Sequence, residues 1–179
     1  MPPEAFDTSA LDPEGLRLVL YPDPGLKQRC VRVPAVDDRV RACVDRMFEL
    51  MREAEGVGLA APQVGLPLRL FVANWTGEPG DDHAYINPEL FDPGRRSAAE
   101  EEGCLSLPNV RVEVDRPKKI RIRALDRNGA GFEDSGDGLK ARVWQHEFDH
   151  LEGRLITDRM SEVDRLANRA ALAALTGAS

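Results

Sequence analysis

Residues 138–152 read Gly-Leu-Lys-Ala-Arg-Val-Trp-Gln-His-Glu-Phe-Asp-His-Leu-Glu, with apolar residues on nearly every side of a predicted helix. Leu139, Val143, His146 and His150 recur at helical spacing on one face. Bulky apolar residues fill the adjoining face, so very few positions are suited to contact with water. The pattern therefore predicts a buried helix around which the rest of the domain packs.

The same helix carries a metal-binding pattern. His146 and His150 lie one turn apart, near enough to bind one ion, with Glu147 beside them to accept a proton. A catalytic ion usually has three protein ligands, and no His or Cys follows His150. Upstream, Glu102-Gly103-Cys104-Leu105-Ser106 offers a thiol. We therefore predict Cys104, His146 and His150 as metal ligands and Glu147 as general acid and base; buried core histidines and a buried free cysteine are the alternative.

The remaining pattern predicts an α+β fold. Apolar spacing predicts an amphipathic helix over residues 37–55, followed by a tight Gly-rich loop over 56–63. Apolar runs and alternation predict antiparallel strands over 68–75, 83–90, 110–114 and 120–124. Residues 161–175 are predicted to form one C-terminal helix with Val163, Leu166, Ala167, Ala170 and Ala174 on one side. We expect antiparallel sheets packed around the central metal-binding helix, with one helix at each end of the chain.

Composition limits the class of protein. The chain has 179 residues, 42% hydrophobic and 31% charged, which fits one globular domain. We expect residues 1–15 to be a flexible leader and 16–179 a single catalytic domain. A net charge of −7 disfavours direct DNA binding, and no apolar run could span a membrane. The absence of a signal or transit pattern and the odd number of cysteines predict reduced thiols and a cytoplasmic location.

Three motifs together make the chain resemble the peptide deformylase family. They are Gly56-Val57-Gly58-Leu59-Ala60-Ala61-Pro62-Gln63, then Glu102-Gly103-Cys104-Leu105-Ser106, then Gln145-His146-Glu147-Phe148-Asp149-His150. Tyr21-Pro22-Asp23-Pro24 and Ile86-Asn87-Pro88 fit the same family, so the resemblance covers roughly residues 16 to 160.

The resemblance implies removal of the N-formyl group from the N-terminal methionine of new polypeptides. It implies that Glu147 moves the protons, while the Gln63 amide and the backbone N–H of Leu105 stabilise the developing oxyanion. Substrate binding is expected at Gly56, Val57, Gly58, Glu102, Arg111 and Val143. Gln145 and Asp149 are expected to support the ligands, and Arg142 and Trp144 adjoin them, although plain core packing also explains the tryptophan.

A Cys/His/His set accepts several divalent ions, and the resemblance implies Fe²⁺ in the cell, with Zn²⁺, Ni²⁺ or Co²⁺ as substitutes. The expected partners are formyl-methionyl nascent polypeptides, and we expect a monomer. Four arginines near the C-terminus, Arg154, Arg159, Arg165 and Arg169, are compatible with docking on a ribosome and equally with a solvated helix face.

Two other functions are compatible with the helix pattern. A zinc endopeptidase of the His-Glu-x-x-His type would cleave unblocked peptides and would use a third ligand other than Cys104. A non-catalytic metal-binding member of the same fold would lack the base or the oxyanion donors, and Glu147 and Gln63 are both present.

Overall fold

The structure, a computed structural model, describes residues 6–177. Its α-helices are α1 (Asp38–Glu53), α2 (Gly138–Leu151), α3 (Glu162–Ala167) and α4 (Arg169–Thr176). Its strands are β1 (Gly58–Ala60), β2 (Leu70–Ala73), β3 (His83–Phe91), β4 (Ser97–Cys104), β5 (Leu107–Pro117), β6 (Lys119–Leu125) and β7 (Gly131–Asp137). Short 3-10 helices lie at Thr8–Ala10, Pro24–Lys27, Ala61–Val64 and Ile156–Arg159.

The strands form two antiparallel sheets. A five-stranded sheet has the order β1-β2-β3-β6-β7, and β4 pairs with β5 as a separate two-stranded hairpin. The expected mixture of antiparallel sheets with few helices is thus confirmed.

The five-stranded sheet lies between α1 and α2. Along β2, Leu70 and Val72 pack in the same apolar cluster as the α1 residues Val44 and Met47. The alternate β2 residues Phe71 and Ala73 pack in a second cluster with Val143 and Trp144 of α2. Because successive strand residues point to opposite faces, β2 is buried on both sides and reads as a continuous apolar run.

A third cluster joins the hairpin to the C-terminal segment. The β5 residues Val110, Val112 and Val114 pack with Leu155 and Ile156, and α4 covers part of this cluster. Helix α2 therefore has the large sheet on one side and the hairpin on the other, where Arg142 donates to the carbonyl oxygens of Ala98 and Val114.

Three strands were missed or misassigned by the sequence patterns. β4 and β7 were not predicted because their Glu-, Ala-, Asp- and Gly-rich composition is poor in β-branched and aromatic residues. The Gly-rich loop contains the three-residue strand β1, which was also not predicted. Cys104 accordingly ends a strand rather than lying in a segment between strands.

The prediction of one C-terminal helix is wrong. Asn168, with φ −95° and ψ 4°, ends α3 and precedes α4, and this break changes which side faces the domain. Val163 and Leu166 are exposed at 77% and 74%, whereas the packed residues are Ala171, Leu172 and Leu175.

Residues 1–5 of the expected leader lie outside the described residues, and the division at residue 16 stays a prediction. Within the described part of that leader, Leu11 is buried in the cluster under α1. Its carbonyl oxygen accepts a hydrogen bond from Arg39, and Thr8 donates to the Asp37 side chain that caps α1. Among the described helices, none has the length and hydropathy needed to cross a membrane.

Candidate metal and active site

Helix α2 carries both predicted histidines in its buried C-terminal half. His150 is 1% exposed and Glu147 4% exposed, as expected of a helix with apolar residues on nearly every side. The helix ends directly afterwards, at Leu151. The hairpin brings Cys104 to the same place from the opposite side, at the end of β4.

The thiol and the two imidazoles converge on one point. Cys104 Sγ lies 3.5 Å from His150 Nε2, which lies 3.3 Å from His146 Nε2. The three donor atoms all fall within 4.8 Å of one another. Tetrahedral coordination, at about 2.3 Å to sulfur and about 2.0–2.1 Å to imidazole nitrogen, separates such donors by about 3.6 Å and about 3.3 Å. The cluster therefore has the donor types and the spacing that a divalent transition-metal ion requires.

The ring of His146 is oriented by Glu102. Its Nδ1 donates to Glu102 Oε2 at 2.9 Å, which leaves the Nε2 lone pair facing Cys104 and His150. Burial raises the pKa of the Glu102 carboxyl, but hydrogen bonds from His146 and Arg116 outweigh this and hold the pKa well below its usual range. For His150, burial lowers the pKa well below its usual range, which favours the neutral, metal-binding form.

A buried ion-pair network links the hairpin to α2. Arg116 of β5 donates to both carboxylate oxygens of Glu102 and, at 3.0 Å, to Asp149 of α2. Arg142 of α2 donates to Glu102 at 2.8 Å, and Arg159 donates to both oxygens of Asp149. The network fixes the strand pair that carries Cys104 against the helix that carries the histidines.

Glu147 lies beside the donor cluster. Burial raises the pKa of its carboxyl to about 7. Within the described part of the chain its Oε2 is buried without a hydrogen-bond partner. A carboxyl with a pKa near neutrality can both accept and return a proton at physiological pH.

Gln63 is held at both ends of its side-chain amide. Its Oε1 accepts from the backbone N–H of Ala60 at 2.9 Å. Its Nε2 then faces the cluster, 3.4 Å from Cys104 Sγ and 3.2 Å from Ser106 Oγ. Because Nε2 donates to both of these atoms, the whole amide is held in place, with its N–H end at the edge of the donor cluster.

The two glycines of the Gly-rich segment allow close approach to protein atoms at the site. A Cβ at Gly58 would overlap the Glu147 carboxylate, coming within 2.9 Å of Cδ. A Cβ at Gly56 would lie 2.6 Å from Leu105 Cδ1. Neither contact tests the predicted approach of this backbone to substrate, which stays a prediction.

A cleft of about 690 Å³ opens onto this cluster. All the predicted catalytic and substrate-binding residues line it: Gly56, Val57, Gly58, Gln63, Glu102, Leu105, Arg111, Val143 and Glu147. The metal-ligand candidates Cys104 and His146 also line it. His150 lies behind them, in contact with both, and is not part of the cleft wall.

The sequence interpretation missed some of the residues around this cleft. Leu139, exposed at 53%, and Pro108 line the cleft and had no predicted role in it. Arg116 was also missed, although the strand pattern indicates that it is buried. Val112 and Val114 are buried, and Arg116 is the next residue on the same face of the strand. A charged residue on the buried face of a strand needs a charged partner, which here is Glu102.

Known proteins resemble this chain over most of its length. A family model described as polypeptide deformylase matches residues 16–166. A peptide deformylase of Rhizorhabdus wittichii is 45% identical over 84% of this chain and 89% of the relative. The chloroplastic peptide deformylase 1B of Solanum lycopersicum is 43% identical over 82% of this chain, which spans only about half of that protein, 53%.

Solved structures give the same result. The crystal structure of a peptide deformylase from Legionella pneumophila superposes with a TM-score of 0.85 at 37% identity, covering 90% of this chain and 95% of that one. The matched region contains the Gly-rich segment, the hairpin with Cys104 and the helix with both histidines. Sequence and fold agree over most of the chain, which therefore belongs to the polypeptide deformylase family.

Proposed function

We propose that this chain is a metal-dependent hydrolase that removes the N-formyl group from the N-terminal formyl-methionine of newly synthesised polypeptides. The observation that carries the proposal is the convergence of Cys104, His146 and His150 beside the buried Glu147 carboxyl, at the wall of an open cleft. Membership of the family supplies the substrate class.

The metal would be held by Cys104 Sγ and by the Nε2 atoms of His146 and His150. When bound, a divalent ion supplies Lewis acidity that favours deprotonation of water near neutral pH and polarises a carbonyl group. Glu102 supports this arrangement by fixing the His146 ring. Because the Glu102 carboxylate already accepts from Arg116, Arg142 and His146, orientation of His146 is favoured over direct substrate contact.

Glu147 is proposed to carry the protons of the reaction. A water molecule attacks the formyl carbon while Glu147 accepts one of its protons. When the C–N bond breaks, Glu147 returns a proton to the departing amine, and formate is the second product. The raised pKa of the carboxyl, about 7, supports both directions of transfer.

Gln63 and Leu105 are proposed to stabilise the charge that develops on the formyl oxygen. The Gln63 Nε2 group faces the cluster and is fixed in direction by the bond that Ala60 donates to Oε1. The backbone N–H of Leu105, one residue after Cys104, is the second proposed donor. A preorganised donor of this kind acts mainly on the rate of the chemical step.

The substrate side chain is proposed to bind among Val57, Leu105 and Val143, with Arg111 beside the peptide. Val57 is 44% exposed and lies with the other three residues in the cleft wall. Gly56 and Gly58 keep the wall close to the site, which suits the formyl group as the smallest acyl group.

The structure offers less support to an endopeptidase of the His-Glu-x-x-His type. That alternative requires a third ligand other than Cys104, whereas the Cys104 thiol lies against His150. We further propose one catalytic domain from residue 16 onwards, a cytoplasmic location, a monomer and Fe²⁺ as the ion in the cell. Docking on a ribosome through the C-terminal segment is compatible with its arginines.

The decisive experiment is release of formate from a formyl-methionyl peptide by anaerobically prepared, ferrous-loaded protein. A Glu147→Gln variant of the same size is measured in parallel, with its metal content determined. We expect turnover by the wild type and a loss of at least about 100-fold in the variant at unchanged metal content. A folded wild type that holds one metal ion and releases no formate would overturn the proposed substrate.

The choice of ion is tested by exposure to air. Iron-loaded protein should lose activity in air as the ferrous ion or the Cys104 thiol oxidises, and nickel-loaded protein should lose it more slowly. Iron-loaded activity that is equally stable with and without oxygen would contradict this part of the proposal.

A further inference from the structure

The side chain of Asn168 forms an unusual contact with the hairpin. Asn168 lies between α3 and α4, beyond the region that the family model matches, and is 6% exposed. Its Oδ1 accepts from the backbone N–H of Arg111 at 3.0 Å, and its Nδ2 donates to the carbonyl oxygen of Arg111 at 2.7 Å. One side-chain amide thus pairs with both backbone groups of a single strand residue, as a neighbouring strand would.

This pairing occurs where the hairpin ladder is irregular. β4 and β5 pair regularly up to Glu102 and Val112, and the register then shifts before Cys104 pairs with Leu107. Arg111 lies inside this irregular segment. Its backbone N–H and carbonyl group face the open edge of β5, where no other described strand pairs, and Asn168 satisfies both groups there.

The Arg111 side chain depends on its backbone for position. It is 60% exposed, and the nearest carboxylate oxygen, from Glu101, is 3.9 Å away. The guanidinium lies against Gly103, where an added Cβ would be 2.8 Å from Cζ. Its Nη1 donates to the backbone carbonyl oxygen of Val110 at 3.3 Å, so the backbone of this segment also orients the guanidinium, which lines the cleft together with Cys104.

Asn168 is itself well fixed. The Nδ2 group also donates to the carbonyl oxygen of Asp164 at 2.8 Å, so both of its hydrogens are used. The backbone N–H of Asn168 donates to the same carbonyl group. Leu172 and Leu175, one and two turns later, pack α4 onto the cluster beneath β5.

We infer that Asn168 is a positioning residue for substrate binding, which acts by holding the Arg111 backbone at the shifted end of the hairpin. The C-terminal helix pair then contributes to the site through this one side chain. The inference rests on the proposed function for the role of Arg111, and it predicts an effect on KM rather than on kcat.

The test uses Asn168→Asp, which keeps the size and one acceptor but removes both donors. We expect KM for a formyl-methionyl tripeptide to rise about tenfold, with kcat changed less than about threefold, because the Arg111 carbonyl oxygen loses its donor and faces a carboxylate instead. In an Arg111→Ala background the same substitution should have no further effect on KM. A full effect in that background would overturn the inference.

Leu175→Ala is the matched control, because it weakens the docking of α4 without touching the amide pairing. Unfolding midpoints of both variants separate general loss of stability from the KM effect. A KM rise in Leu175→Ala equal to that in Asn168→Asp would assign the effect to helix docking and overturn the inference.

Amide hydrogen exchange gives a reading that does not depend on catalysis. The Arg111 N–H should lose protection in Asn168→Leu, which removes the Oδ1 atom that accepts from it, while Val112 and Val114 in the regular part of the hairpin keep theirs. If the wild type releases no formate, the proposed function fails by itself, and the exchange of Arg111 still decides whether Asn168 holds this backbone. Unchanged protection at Arg111 would overturn the inference.

Discussion

The two ends of the Gln63 amide are proposed to have separate tasks. Its oxygen accepts from the backbone of Ala60, and its nitrogen, which donates to Cys104 Sγ and Ser106 Oγ, is the end proposed to turn a donor toward a substrate oxygen. Replacement by Glu keeps the size and the acceptor but removes the donor. We expect Gln63→Glu to lower kcat for formate release by about 100- to 1000-fold with little change in KM.

A control for this prediction makes the same chemical change elsewhere. Gln28 is exposed, and Gln28→Glu should leave both kinetic constants unchanged. A Gln63→Glu variant whose loss lies mainly in KM would show that this amide binds the ground state and not the transition state.

The three cysteines differ in their surroundings. Burial raises the pKa of the Cys30 thiol to about 12 and that of Cys43 to about 11, so both stay protonated at pH 8. The thiolate is the reactive form, and we therefore expect neither to react with iodoacetamide in the folded protein. Mass spectrometry of digested samples checks this, with denatured protein as the control. Rapid native modification of Cys30 would contradict it.

The sequence predicted the cysteine and histidines at the centre of the candidate site, but it did not predict the ion pairs that hold them in place. Two histidines at helical spacing specify their own geometry, and the need for a third ligand singled out Cys104. The partners of Arg116, in contrast, are Glu102 and Asp149, which lie far apart in the chain and meet only in the fold. Spacing within one element is readable from sequence, whereas pairing between elements is not.

Among the secondary-structure elements, the short strand β1 packs against Glu147, the proposed general base. Gly58 lies so close to Glu147 that a methyl group would displace the carboxyl. We expect Gly58→Ala to lower kcat by about 100-fold, since a displacement of about 1 Å at a reacting group has a cost of that order. Steady-state kinetics and the unfolding midpoint measure the two effects.

Gly131 provides the matched glycine. An added Cβ there would meet only Leu125 Cδ2 at 3.9 Å, an ordinary contact. Gly131→Ala should therefore keep full activity. If Gly58→Ala did the same, β1 would not be packed against Glu147 as tightly as the distances indicate.

The elements that the sequence predicted correctly are those with a strong periodic pattern. α1 and α2 appear where apolar spacing placed them, to within a few residues. The C-terminal segment has the same kind of apolar spacing, but Asn168 breaks it and its side chain bonds to a distant strand. The contact that accompanies this break joins residues far apart in the chain, so apolar spacing over residues 161–175 could not predict it.

In the whole molecule, Arg116 joins parts that pack in different hydrophobic clusters. It lies at the end of the hairpin strand β5, and its side chain reaches Glu102 of β4 and Asp149 of α2. The side chains of Arg116 and Glu102 are 3% and 5% exposed, so their charges are removed from water. Loss of one partner leaves a buried charge incompletely compensated.

We expect Arg116→Met to lower the free energy of unfolding by about 3–5 kcal/mol, because the buried carboxylates of Glu102 and Asp149 lose a positive partner. Methionine retains most of the apolar volume of the arginine side chain. Arg121→Met is the comparison, since Arg121 pairs with Glu133 on the surface at 44% and 40% exposure and should change stability by at most about 1 kcal/mol. Urea unfolding of metal-free protein measures both, because a bound ion would add its own stabilisation to the folded state.

Equal and small effects in the two variants would show that Arg142 and Arg159 hold Glu102 and Asp149 without Arg116. A large effect confined to Arg116→Met would identify this arginine as the link between the hairpin that carries Cys104 and the helix that carries His146 and His150.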